Sequence, residues 1–238
     1  MSRSKSKSKI ERKLLIKTLR SNAPAVEAFR SLRTNIQFTN IAASTKVIAL
    51  TSAGPSEGKS SVAGNLASVM ALAGSKCILV DADLRKPVQA KQFGVSGRVG
   101  LTNVLMGSLS VEDALVSTEI EGLRLLPSGP IPPNPAELLG SALMKSTLEE
   151  LRERADIVIV DTPPLLPVTD AAVLASIVDG TILVVKSGET HKQAVIRAKQ
   201  SLESVNARIL GVVLNGVIPK TGYYQHYYYH YAESNKGA

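Results

Sequence analysis

Ala53-Gly54-Pro55-Ser56-Glu57-Gly58-Lys59-Ser60-Ser61 stands between an aliphatic run at Lys46–Thr51 and a long apolar segment at Lys59–Ala73. A strand, a loop of small residues and a helix form the context in which Gly-x-x-x-x-Gly-Lys-Ser cradles phosphate. Only the first position departs, with Ala53 in place of glycine. Small residues let backbone N–H groups curl around phosphate oxygens at a helix N-terminus, where the dipole favours negative charge. In such a loop Lys59 reaches the β- and γ-phosphates, and the Ser60 hydroxyl is placed for Mg2+. The whole stretch from Gly54 to Ser61 is therefore expected to hold ATP.

Outward from the loop, further aliphatic runs occur at Cys77–Asp81, Leu123–Pro127, Ile157–Asp161, Thr181–Val185 and Ile209–Leu214. Runs this rich in Val, Ile and Leu read as strands buried on both faces. Helical segments at Pro135–Arg154, Asp170–Ile177 and His191–Val205 alternate with them. That rhythm predicts an α/β fold: a doubly wound, mostly parallel sheet with helices on both faces, three layers deep, of the P-loop NTPase type. Asn134-Pro135-Ala136-Glu137 carries an N-cap residue, a first-turn proline and a glutamate, and marks a helix start. Gly129-Pro-Ile-Pro-Pro before it reads as an extended loop.

Two of the strands end in carboxylates, one in Asp81-Ala82-Asp83 and the other in Asp161-Thr162-Pro163-Pro164. Carboxyl ends of parallel strands converge on the crevice where open α/β sheets bind ligands, so these aspartates surround the place of Mg2+ and the γ-phosphate. Asp81 and Asp83 would face the same way if the strand persisted, one holding metal while the other takes a proton. Arg85 and Lys86 follow and are candidates for stabilising developing charge.

The 238-residue length suits one substantial α/β domain. The formal charge of +8 is concentrated in residues 1–20, where Arg3, Lys5, Lys7, Lys9, Arg12, Lys13, Lys17 and Arg20 face Glu11 alone. The body is close to neutral, so no nucleic-acid partner is expected; a basic arm of this kind is expected to be disordered and drawn to anionic lipid. Cys77 is the single cysteine, which excludes an internal disulfide and fits a cytoplasmic setting. No apolar run approaches the length of a membrane span. All six tyrosines, Tyr223, Tyr224, Tyr227, Tyr228, Tyr229 and Tyr231, cluster near the C-terminus. The divisions expected are an arm at 1–20, a catalytic domain at 21–220 and a flexible tail at 221–238.

Taken together, the loop, Val80-Asp-Ala-Asp-Leu-Arg-Lys-Pro87, Gly129-Pro-Ile-Pro-Pro-Asn-Pro-Ala-Glu-Leu-Leu139, Val160-Asp-Thr-Pro-Pro164 and the tyrosine run resemble the bacterial tyrosine kinases of capsular and exopolysaccharide synthesis. The resemblance implies Walker A, A′ and B motifs. By it Lys59 and Ser60 bind phosphate and Mg2+, Asp83 and Asp161 organise the metal, and Asp81 takes the proton of the tyrosine hydroxyl. It also implies that the tail tyrosines accept phosphate in trans. Glu27, Arg30 and Arg33, on one face of a helix at Ala25–Phe38, match the family's Glu-x-x-Arg-x-x-Arg oligomerisation motif and imply a ring. The implied partners are protein tyrosine substrates and a transmembrane activator that brings the chain to the inner face of the membrane.

A ParA/MinD-type switch ATPase, without protein kinase activity, shares the fold and the loop and is similar at Asn215, which follows the last strand and could read adenine. Such proteins carry a lysine second in the loop, where this chain has Gly54, and they leave the tyrosine run unexplained. A non-catalytic adaptor would leave Lys59, Asp81, Asp83 and Asp161 without purpose.

Overall fold

The computed structural model describes residues 24–39 and 45–217. The basic arm at 1–20 and the tail with its tyrosines lie outside the described residues. Seven strands form one sheet: β1 Val47–Ser52, β2 Cys77–Asp81, β3 Val116–Ser117, β4 Leu123–Leu126, β5 Ile157–Asp161, β6 Gly180–Lys186 and β7 Ile209–Asn215. Their order is β3-β4-β2-β5-β1-β6-β7. Every pairing is parallel except β3 with β4. The six expected strands are all present, within a residue or two of their expected ends. β3 is new, being two residues long and too short for alternation to show.

Because side chains alternate across a strand, the inner strands serve two cores. Ile48, Leu50, Leu79, Leu125 and Ile159 face one layer with α1 (Pro24–Thr39) and α2 (Lys59–Leu72). Val47, Ala49, Val80, Leu126, Val158 and Val160 face the other. That second layer holds α4 (Leu101–Leu105), α5 (Val111–Ala114), α6 (Pro135–Leu139), α7 (Ala142–Arg154) and α8 (Asp170–Ala175). Past β6, Leu183 and Val185 pack with Ala198 and Leu202 of α9 (Lys192–Ser204). The short α3, Gln89–Phe93, follows β2.

One expected helix is two. Pro135–Arg154 breaks at Gly140-Ser141, and Ser141 Oγ caps the second piece by accepting from Met144 N at 3.2 Å. Serine in extended backbone is a favoured N-cap, and glycine before it is a poor helix former. Asn134 precedes α6 as expected but makes no side-chain cap bond; its amide pairs with the Glu137 side chain instead.

Candidate active site

The loop between β1 and α2 is shaped by its own residues. Ser56 and Gly58 take left-handed φ of 65° and 91°. A Cβ at Gly58 would sit 2.0 Å from Asn215 Nδ2, so only glycine fits there. The Asn215 amide, at the end of β7, donates to the Glu57 carbonyl at 2.9 Å. Glu57 Oε1 accepts from Gly54 N at 2.8 Å, and Ser52 Oγ donates to the Gly54 carbonyl at 2.7 Å. The last residue of the sheet thus holds the loop that follows its first strand.

Lys59 begins α2 and turns its ammonium toward the carboxylates. Nζ donates to Asp83 Oδ2 at 2.7 Å, Ser60 Oγ at 3.1 Å and Asp161 Oδ1 at 3.4 Å. Burial works against the ammonium, but Asp161 and Asp83 outweigh it and hold the Lys59 pKa above its ordinary value. The cation thus lies between the two carboxylates to which the resemblance assigns the metal.

Asp81 and Asp161 are register partners on adjacent parallel strands, both fully buried. Asp81 Oδ2 accepts from Val88 N at 3.0 Å and Gln89 N at 2.9 Å, while its Oδ1 is buried with no partner among the described residues. Burial, then the neighbouring Asp161, push the Asp81 carboxyl up to about 7. Burial also raises Asp161, against the pull of Lys59. Asp83 lies past the end of β2, and its Oδ1 accepts from Lys86 N at 3.0 Å. It therefore reaches Lys59 from a turn and not from a continuing strand. Thr162 Oγ1 donates to the Leu50 carbonyl at 2.9 Å, and Thr51 Oγ1 to the Pro163 carbonyl at 2.9 Å, tying the ends of β1 and β5 together.

Arg85, a candidate for charge stabilisation, is committed elsewhere. Its guanidinium makes a two-point pair with buried Asp170 at the start of α8, at 2.9 and 3.0 Å. Lys86 is exposed and contributes its backbone N–H. Two residues of the cluster carry no signal as site residues in the sequence. Asp170 reads there only as a helix-opening acid. Gln89, fully buried, donates through Nε2 to Asp161 Oδ2 at 2.8 Å and to the Ser60 carbonyl at 2.9 Å; it follows Pro87-Val88 in a stretch without periodicity. Glu27, Arg30 and Arg33 lie together on α1, where Glu27 pairs with Arg30 and Arg33 Nε is buried without a partner among the described residues.

The donor set fits Mg2+. Ser60, Asp83 and Asp161 offer hard oxygen ligands, and among the described residues no three His, Cys, Asp or Glu side chains form a closed cage. Mg2+ characteristically takes one or two carboxylates and completes its shell with phosphate and water.

Comparison with known proteins agrees with this geometry. The AAA domain family model matches residues 45–209. The tyrosine-protein kinase YwqD of Bacillus subtilis is 46% identical over 190 residues, 80% of either chain. The solved chimerical protein CapA2B2 superposes with a TM-score of 0.81 at 40% identity, covering 87% of this chain and 90% of that one. The kinase domain of the Escherichia coli tyrosine kinase ETK gives 0.80 at 37%, over 84% and 78%. MinD of Pyrococcus horikoshii, at 0.62 and 24% over 71% and 70%, shares the fold alone. On these matches the chain belongs to the family of the bacterial tyrosine-protein kinases, built on an AAA domain.

Proposed function

We propose that the chain transfers the γ-phosphoryl group of ATP to protein tyrosine, releasing ADP, and that its own Tyr223, Tyr224, Tyr227, Tyr228, Tyr229 and Tyr231 are acceptors in trans. The observation that carries this reading is the buried Oδ1 of Asp81, without a partner among the described residues, in a cluster with Lys59, Asp83 and Asp161 beside the loop. A carboxylate held near pH 7 is matched to accepting a proton from a phenol. The tyrosine oxygen forms the new bond to phosphorus as the bond to the ADP oxygen breaks, and the phenolic proton passes to Asp81.

Lys59 exchanges its carboxylates for phosphate oxygens, and the backbone from Gly54 to Ser61 cradles the triphosphate. Ser60, Asp83 and Asp161 hold Mg2+, which when bound neutralises charge building on the phosphates. Asn215 keeps the loop in shape and lines the nucleotide's edge of the site. Gly54, where switch ATPases of the ParA/MinD type have a lysine, speaks against their mechanism.

The motif resemblance supports a role in capsular or exopolysaccharide synthesis, at the membrane's inner face beside a transmembrane activator. Among the described residues no helix is long and apolar enough to cross a membrane. Glu27, Arg30 and Arg33 form the contact that closes a ring.

A mixing experiment tests the chemistry. A Lys59→Met chain with its tail intact is incubated with Mg-ATP, activator and a catalytically intact chain whose six tail tyrosines are Phe. Mass spectrometry should find phosphotyrosine on the Lys59→Met tail only when both chains are present. An unmodified tail in the mixture, with wild type labelled, would show transfer in cis; an unlabelled wild type would refute the kinase reading.

A further inference from the structure

We infer that Gln89 is a positioning residue for the metal-bearing face of the site, fixing which oxygen of Asp161 and which oxygen of Asp81 is left for ligand. The inference rests on the nucleotide reading given above. Asp81 and Asp161 stand side by side on neighbouring strands, where two carboxylates repel each other and are free to rotate about their side-chain torsions. Gln89 reaches both. Its backbone N–H takes Asp81 Oδ2 at 2.9 Å, and its Nε2 takes Asp161 Oδ2 at 2.8 Å. The oxygens left over are Asp81 Oδ1, which has no partner among the described residues, and Asp161 Oδ1, which meets Lys59.

The third bond extends the hold to the phosphate loop. Nε2 also donates to the carbonyl of Ser60 at 2.9 Å, the residue whose hydroxyl is the remaining metal ligand. One acceptor of that nitrogen is a backbone carbonyl, which has no proton to give, so the orientation of the amide follows from its partners. One residue therefore links all three motifs, its side chain joining the start of α2 to the end of β5 and its backbone N–H reaching the end of β2.

Keeping a glutamine here has a cost. Gln89 is wholly inaccessible, and its Oε1 finds no partner among the described residues. An orphaned buried acceptor is destabilising, a penalty that an apolar side chain of similar size would avoid. The cost is offset by what Nε2 does for Asp161. Partners behind a metal ligand orient it, and their loss typically costs about 10–100-fold in metal affinity or activity.

The test measures ADP affinity of the full chain by calorimetry, once with excess EDTA and once with excess Mg2+. The ratio of the two dissociation constants is the gain from Mg2+. Gln89→Met keeps the volume and loses the donor; Gln89→Leu is a second variant that also removes the orphaned oxygen, and either folded variant serves. In the folded variant ADP affinity in EDTA should stay within about twofold of wild type, while the gain from Mg2+ falls by at least about tenfold. An unchanged gain would overturn the inference, and so would an equal loss of affinity in both media, the mark of a merely structural role. Neither result involves tyrosine. A wild type that gains nothing from Mg2+ would instead overturn the nucleotide reading on which the inference stands.

Discussion

At the scale of single residues, the site is a contest over charge. Three carboxylates crowd one ammonium, and burial with the neighbouring Asp161 pushes the Asp81 carboxyl up to about 7. An unfolded aspartate ionises near about 4. Between those values the folded chain holds a proton that the unfolded chain releases, so this stability is present at low pH and is lost as pH rises through 7. In EDTA and without nucleotide, urea unfolding from pH 5.5 to 7.5 should show wild type losing stability, by up to about 1.4 kcal/mol per pH unit for one proton. Asp81→Asn should flatten that part of the slope. Parallel curves would place the raised pKa elsewhere. Lys59, Asp81, Asp83 and Asp161 were all legible in the sequence, because loop, strand end and charge coincide there. Gln89 and Asp170 were not, since a buried amide and a helix-opening acid gain meaning only from what the fold sets opposite them.

At the scale of elements, the two ends of the sheet do different work. The carboxyl end holds the proposed site, and the amino end is fastened by Asp179. Its Oδ2 accepts from Lys46 N and Val47 N at 2.8 Å each, and its Oδ1 from Arg152 at 2.6 Å. Burial alone would raise this carboxyl, but the Val47 N–H, Arg152 and the Lys46 N–H together lower it. One side chain thus fixes the starts of β1 and β6 and the last turn of α7. Asp179→Ala leaves two backbone donors and a guanidinium without their acceptor, and should lower unfolding free energy by about 2 kcal/mol in urea titration. Nucleotide affinity should hold, because the site lies at the other end of β1; a parallel loss would mean that the two ends are coupled. The six strands were legible because residues buried on both faces leave unbroken aliphatic runs. Four short elements were not, since β3, α3, α4 and α5 have two to five residues, fewer than a helical or strand period needs to declare itself. The break at Gly140-Ser141 hid inside a continuous helical pattern, because the pieces on either side face the same core.

At the scale of the whole molecule, the proposed ring and the charge of the tail are tested together. Glu27, Arg30 and Arg33 share α1, and replacing all three with Ala should reduce a ring to smaller species, read as a fall in mass by light scattering of the unphosphorylated chain. An unchanged mass would remove the helix from the interface. The tail offers a second test. Each phosphotyrosine brings about −1.5 to −2 charges at pH 7, so modifying four of the six tyrosines places roughly −6 to −8 on a short stretch. A site lined by Asp81, Asp83 and Asp161 repels such a segment. Where an unmodified tail seated in a neighbour's site helps hold the ring, phosphorylation should weaken the ring, and replacing all six tyrosines with Phe should trap it assembled. The comparison is oligomer mass before and after Mg-ATP, for wild type and for the six-Phe chain. Loss of mass in wild type alone is the expected outcome. A wild-type ring that stays whole with a heavily phosphorylated tail would show that the tail records the activity of the site without governing assembly.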